Sequence, residues 1–133
     1  MIVGTEWLIE AFECDAGKLR EVETLREVFK RVIADLGLKT IGEGFWHQFA
    51  GEKGITGLVA LTESHLACHT YPEYRTATFN LYCCKTRPTW NWETNLKDLI
   101  GANIVKITTV ERGESESESE IQNPKSKIVG GEA

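Results

Sequence analysis

The stretch from Gly54 to Cys84 carries side chains that could do chemistry. It contains the run Glu63-Ser64-His65, the run His69-Thr70-Tyr71-Pro72-Glu73 and, at its end, the Cys84 thiol. Hydroxyl, imidazole, carboxylate and thiol groups therefore lie close together in a region otherwise patterned as buried β-structure. Reactive groups on rigid strands are what a catalytic site requires, so this stretch predicts an active site.

These motifs resemble those of the small prokaryotic S-adenosylmethionine decarboxylases, which process themselves and depend on a pyruvoyl group. The resemblance extends over roughly residues 5–111. It rests on motifs that keep the order and approximate spacing of the family: Gly54-Ile55-Thr56-Gly57, Thr62-Glu63-Ser64-His65, His69-Thr70-Tyr71-Pro72-Glu73 and Cys84.

The resemblance implies that the chain cuts itself between residues 63 and 64. The hydroxyl of Ser64 would attack the carbonyl of Glu63, and the resulting ester would eliminate and hydrolyse to a pyruvoyl group at residue 64. Decarboxylation of an α-amino acid leaves electrons on the α-carbon, and a conjugated carbonyl can accept them. The expected cofactor is therefore a pyruvoyl group generated from Ser64.

The resemblance also implies roles for three other reactive residues. Thr56 matches the processing hydroxyl and would stabilise the cleavage intermediate, while His69 matches the processing imidazole and would remove the α-proton during elimination. Cys84 matches the proton donor of turnover. Its neighbour Cys83 remains an alternative donor, because adjacent residues of a strand face opposite ways and only one of the two can face the site.

Substrate contacts follow from the resemblance in the same way. Glu73 matches a glutamate that accepts hydrogen bonds from the ribose hydroxyls, and Phe49 matches an aromatic residue that stacks on adenine. No metal ligand is expected. A zinc module built on His65, Cys68, His69 and Cys84 is disfavoured, because the ligand spacing matches no common zinc pattern.

The chain departs from the family pattern at several positions. Glu6-Trp7 stands where the family has a Gly-x-His element, Asn80 replaces an aspartate, and Lys85 replaces the glycine that follows the thiol. Two alternatives therefore stay open beside S-adenosylmethionine decarboxylation. One is a pyruvoyl-dependent decarboxylase of arginine or ornithine, and the other is an inactive subunit that regulates a partner.

Composition narrows the class of protein. The chain has 133 residues, enough for one domain, and a formal net charge of -5, which argues against nucleic acid as a main partner. No apolar run approaches the length of about 18 residues typical of a membrane span. The start of the sequence lacks the features of a secretory signal, and four cysteines form no dense disulfide framework. We therefore expect a cytoplasmic protein.

The reactive stretch must be positioned by the elements around it. Strand patterns cover residues 6–12, 39–49, 55–68 with a disturbance at Glu63-Ser64, 76–83 and 104–110. Helical periodicity follows Asp15 as far as Gly37, and a second helix begins after Asn91 and ends before Gly101. From residue 113 an acidic repeat begins, so we expect a domain over residues 1–112 and a disordered acidic tail over residues 113–133.

Two helices serving a mostly antiparallel sheet predict an α+β fold, a two-layer sandwich with both helices on one face of the sheet. The other face would then need a cover. We expect a homodimer to provide it, with each protomer consisting of two processed chains and binding a small-molecule substrate.

Overall fold

The computed structural model describes residues 1–113, which form six β-strands and two α-helices. The elements run in the order β1 (Gly4–Phe12), α1 (Val22–Leu36), β2 (Thr40–Gln48), β3 (Ile55–Leu61), β4 (Ser64–Tyr71), β5 (Thr76–Cys83), α2 (Trp92–Ile100) and β6 (Ile104–Arg112). The strands form one sheet in the order β2-β3-β4-β5-β1-β6, with every paired neighbour antiparallel. The predicted α+β class is confirmed.

One face of the sheet carries the core beneath both helices. Alternate residues of β4 and β5, such as Leu66 and Phe79, are buried, as the two-residue period of a strand requires. Helix α1 contributes Leu25, Val28, Phe29 and Val32 at helical spacing, and the Trp92 ring of α2 lies 5.8 Å from that of Phe79. The helices thus form a single layer on this face.

The opposite face, called here the open face, has no covering element within residues 1–113. It carries exposed apolar side chains, among them Phe45 at 79% exposure and Leu58 at 43%. These two residues pair across β2 and β3, and so lie on the same face. An apolar sheet face of this kind is typical of an interaction surface.

Helix α1 begins later than its periodicity predicts. Asp15 does accept a hydrogen bond from the backbone of Lys18, but residues Lys18–Arg20 form a separate 3₁₀ turn and the α-helix starts at Val22. The carbonyl of Leu19 accepts a hydrogen bond from the buried hydroxyl of Thr70 on β4 instead of from the next turn of a helix. The predicted ends of α1 at Gly37 and of α2 at Asn91 and Gly101 are confirmed.

The predicted strand over residues 55–68 is in fact two strands. Leu61 pairs with Ser64, so Thr62 and Glu63 form a two-residue turn between β3 and β4. The sequence carried no glycine or asparagine to mark this turn, and the disturbance expected at Glu63-Ser64 is a complete reversal of the chain.

No helix within residues 1–113 is long and apolar enough to cross a membrane. The predicted tail falls almost entirely outside the described residues, which end at Gly113, and its disorder stays a prediction.

Candidate active site

The Glu63–Ser64 peptide lies at the tip of the β3–β4 hairpin. Ser64 is the first residue of β4, and its side chain shares a face with buried Leu66 and Cys68. The hydroxyl oxygen of Ser64 is itself buried and makes no well-formed hydrogen bond within residues 1–113. Buried hydroxyls normally find a partner, so the Ser64 hydroxyl is unusual in lacking a strong hydrogen bond within the described residues.

The carbonyl of the same peptide is held in place. Its oxygen accepts a hydrogen bond from the backbone N–H of Cys84 at 3.1 Å. The Glu63 carboxylate accepts a hydrogen bond from Arg87 Nη2 at 2.6 Å and lies 3.8 Å from Lys85 Nζ. A backbone donor on a carbonyl oxygen polarises it and stabilises the negative charge that a nucleophilic attack produces there.

The two candidate thiols have different surroundings. Cys83 pairs with Ser64 across β4 and β5 and is buried, whereas the Cys84 thiol is exposed. Burial raises the pKa of the Cys83 thiol, and the Ser64 hydroxyl and the Arg87 guanidinium oppose that increase. A thiol is only a weak hydrogen-bonding group, so this contact leaves the Ser64 hydroxyl essentially free.

The remaining cysteines are structural. Burial raises the pKa of Cys68 to about 12 and that of Cys14 to about 11. Both thiols therefore stay protonated near neutral pH and are poor nucleophiles.

Four other predicted residues meet at the far end of the β3–β4 hairpin. Thr56 and His69 pair across the two strands, and Thr56 Oγ1 lies 3.1 Å from His69 Nδ1. Both side chains line a cavity of about 500 Å³ together with Phe49 and Glu73. This volume is within the range of small-molecule sites.

The structure therefore divides the predicted site residues into two groups and adds Arg87 to the first. The cleavage cluster consists of Glu63, Ser64, Cys84 and Arg87, and the cavity cluster consists of Phe49, Thr56, His69 and Glu73. Ser64 and His69 are five positions apart on β4, which places their Cα atoms about 17 Å apart and their side chains on opposite faces. A single chain does not bring His69 to Ser64, nor Thr56 to the Glu63 carbonyl.

A polar network on the open face was not anticipated. Asn80 Nδ2 donates to Glu6 at 2.6 Å, Asn80 Oδ1 lies 3.0 Å from His65 Nε2, and Arg112 donates to Glu6 at 2.8 Å. Two of the positions noted as departures from the family pattern, Glu6 and Asn80, thus contact each other. Their shared face follows from the pairing of β1 with β5, which the sequence alone did not give.

Arg87 and Lys85 were also missed as partners of Glu63. The sequence gives little sign of these contacts, since two basic residues shortly after a strand are common in loops. The described residues contain no group of three or more His, Cys, Asp or Glu side chains that could hold a metal ion.

Comparisons with known proteins agree with the motifs. The family described as "S-adenosylmethionine decarboxylase" matches residues 5–113. The S-adenosylmethionine decarboxylase proenzyme 2 of Halalkalibacterium halodurans is 28% identical over 96% of this chain and 98% of its own length. The proenzyme of Thermotoga petrophila is 32% identical over 84% of this chain and 85% of its own length.

A solved structure has the same fold. The crystal structure of the adenosylmethionine decarboxylase from Aquifex aeolicus superposes with a TM-score of 0.73 and 27% sequence identity, covering 87% of this chain and 95% of the other. Sequence and fold therefore agree over the whole described domain, and the chain belongs to the S-adenosylmethionine decarboxylase family.

Proposed function

We propose that this chain is the precursor of a pyruvoyl-dependent carboxy-lyase that decarboxylates S-adenosylmethionine, a step toward polyamines. The observation that carries the proposal is the Glu63–Ser64 peptide, in which a buried hydroxyl without a strong partner sits beside a carbonyl held by the Cys84 N–H. The relatives are named as proenzymes that act on S-adenosylmethionine, which favours this substrate over arginine or ornithine and favours an enzyme over an inactive partner subunit.

Self-processing uses groups of the cleavage cluster. Ser64 Oγ bonds to the Glu63 carbonyl carbon, and the peptide C–N bond breaks to leave an ester. Loss of the Ser64 α-proton then breaks the Cβ–Oγ bond, so Glu63 keeps that oxygen as a new carboxylate. Residue 64 is then a dehydroalanine with a free amino group. Water hydrolyses it to the ketone of the pyruvoyl group, and the nitrogen leaves as ammonia. The N–H of Cys84 stabilises the oxyanion of the first step.

A pyruvoyl group at residue 64 fits its surroundings. The side chain at this position is small, its oxygen is buried, and it pairs with buried Cys83 across β4 and β5, so the product carbonyl would be shielded from bulk water. When present, the group supplies the electron sink for decarboxylation. Cys84, which bonds to the same peptide through its backbone, is the proposed donor of the proton that replaces carbon dioxide, and the buried Cys83 is the second candidate.

The cavity cluster is the proposed substrate site. Phe49 is 53% exposed, which leaves a ring face free for the adenine and the sulfonium. The Glu73 carboxylate lines the same cavity and would accept hydrogen bonds from the ribose hydroxyls.

A second copy of the chain would complete the site. If His69 is the base of processing and the cavity cluster binds substrate, they must act on a Ser64 that their own chain holds about 17 Å away. A two-fold dimer provides this arrangement, because it sets the hairpin tip of each copy against the hairpin base of the other. We propose that the open face forms the interface.

The four cysteines are all free thiols, which suits the reducing cytoplasm, the proposed location.

The proposal is tested by measuring carbon dioxide release from S-adenosylmethionine, arginine and ornithine with purified protein, using Ser64→Ala as the blank. Release from S-adenosylmethionine alone is expected. Faster carbon dioxide release from arginine or ornithine would overturn the substrate assignment. Release no greater than that of the blank with all three compounds would overturn the proposal that the chain is a decarboxylase.

A further inference from the structure

We propose that Arg87, with Lys85, positions the Glu63–Ser64 peptide for self-cleavage and then neutralises the chain end that cleavage creates. The inference rests on the proposed self-processing and deepens it. Arg87 touches no reacting atom, so it is a positioning residue.

Glu63 is tethered through both its main chain and its side chain. Its carbonyl bonds to the N–H of Cys84 and its carboxylate bonds to Arg87, and both partners belong to the segment that follows β5. The side chains of Glu63 and Arg87 are only 16% and 20% exposed, so water screens this pair less than a surface ion pair. Rotation of the peptide would break both contacts.

The charges of this cluster anticipate the reaction. Before cleavage, Arg87 and Lys85 face one carboxylate, that of Glu63, and leave a formal excess of one positive charge. Attack by Ser64 places negative charge on the Glu63 carbonyl oxygen, and elimination leaves a second carboxylate on the same residue. The cationic pair therefore matches the charge of the intermediate and of the product better than that of the precursor, which is the condition for accelerating a step.

The charge of the guanidinium also acts on the neighbouring Cys83 thiol. Burial raises the pKa of Cys83, the residue that pairs with Ser64, and Arg87 opposes that increase. The Arg87 Nε atom is buried and has no partner within residues 1–113, so a donor is left over for the new carboxylate.

The test is the rate of self-cleavage after a short pulse of cell-free synthesis, followed as the fraction of chain cut with time. We expect Arg87→Gln to slow cleavage about tenfold or more and Arg87→Lys to recover most of the rate. Arg31→Gln removes a cation of a remote ion pair, that with Asp98, and should cleave like wild type. In a Glu63→Ala background, Arg87→Gln should slow cleavage less than it does in the wild type, because the side-chain tether is already absent and only the effect of the charge on the intermediate is lost.

The outcomes separate the two proposals. An uncut wild-type chain overturns the proposed function, whereas a wild type that cuts while folded Arg87→Gln cuts equally fast overturns this inference alone. Equal slowing by Arg31→Gln, or no recovery with lysine, also overturns it. Should Arg87→Gln fail to fold, the folded Glu63→Ala chain decides, since cleavage at the wild-type rate without the Glu63 carboxylate overturns the positioning tether.

Discussion

The two residues of the proposed scissile peptide differ in how firmly hydrogen bonds hold them. Ser64 has a buried hydroxyl with no strong hydrogen bond, while Glu63 is fixed by the N–H of Cys84 and the side chain of Arg87. A free nucleophile beside a fixed carbonyl suits an attack within the chain. The motif pointed to Glu63 and Ser64 as candidate cleavage residues, and that role stays a prediction; the tether to Arg87 depends on how the segment after β5 folds back, which no local pattern encodes.

The two neighbouring thiols should differ in function. Cys84→Ala keeps the backbone N–H that binds the Glu63 carbonyl, so it should still cleave, but its kcat should fall about a hundredfold or more because the proton donor is lost. Cys83→Ala serves as the matched control and should cleave and turn over at near the wild-type rate. Intact mass and carbon dioxide release measure the two properties. A large loss of turnover in Cys83→Ala, together with wild-type turnover in Cys84→Ala, would show that Cys83 and not Cys84 is the proton donor.

The elements around the site were predicted where local signals are strong. Glycines at the ends of α1 and α2 and the asparagine cap of α2 fixed those boundaries correctly. The β3–β4 reversal and the late start of α1 were missed. Both depend on tertiary contacts, since the turn at Thr62-Glu63 has no sequence marker and the Leu19 carbonyl bonds to Thr70 from another element.

The Thr70 hydroxyl joins three elements and should be important for stability. It donates to the Leu19 carbonyl at 2.8 Å and accepts from the Ile55 N–H at 2.9 Å, with the residue only 4% exposed. Thr70→Val preserves shape but leaves two buried backbone groups unpaired, so the free energy of unfolding should fall by about 2 kcal/mol or more.

Denaturant unfolding of the uncut Ser64→Ala chain measures this effect. The control is Thr108→Val on exposed β6, which should change the free energy of unfolding by less than about 0.5 kcal/mol. Equal effects at the two positions would show that the Thr70 contacts add nothing.

The whole molecule carries two separate clusters of candidate site residues on one chain. The cleavage cluster and the cavity cluster lie at opposite ends of the same hairpin, and the open face between them carries exposed Phe45 and Leu58. The motif gave every residue of the two clusters except Arg87, but not the distance between the clusters, because sequence order does not state where a hairpin turns.

Complementation between two inactive variants tests this arrangement. Ser64→Ala and His69→Ala should each remain uncut when made alone. The two variants are then produced together, one of them lengthened by a tag so that the chains can be told apart by size. The His69→Ala chain should now be cut, because its Ser64 meets the His69 of its partner. Persistence of both full-length chains, or cleavage of His69→Ala alone, would contradict a site shared between copies.

The most direct test of the central claim is the intact mass of freshly purified wild-type protein, before and after treatment with a hydrazine. We predict two fragments that meet between residues 63 and 64, with only the C-terminal fragment gaining the mass of a hydrazone. A single full-length chain that does not react would contradict the account.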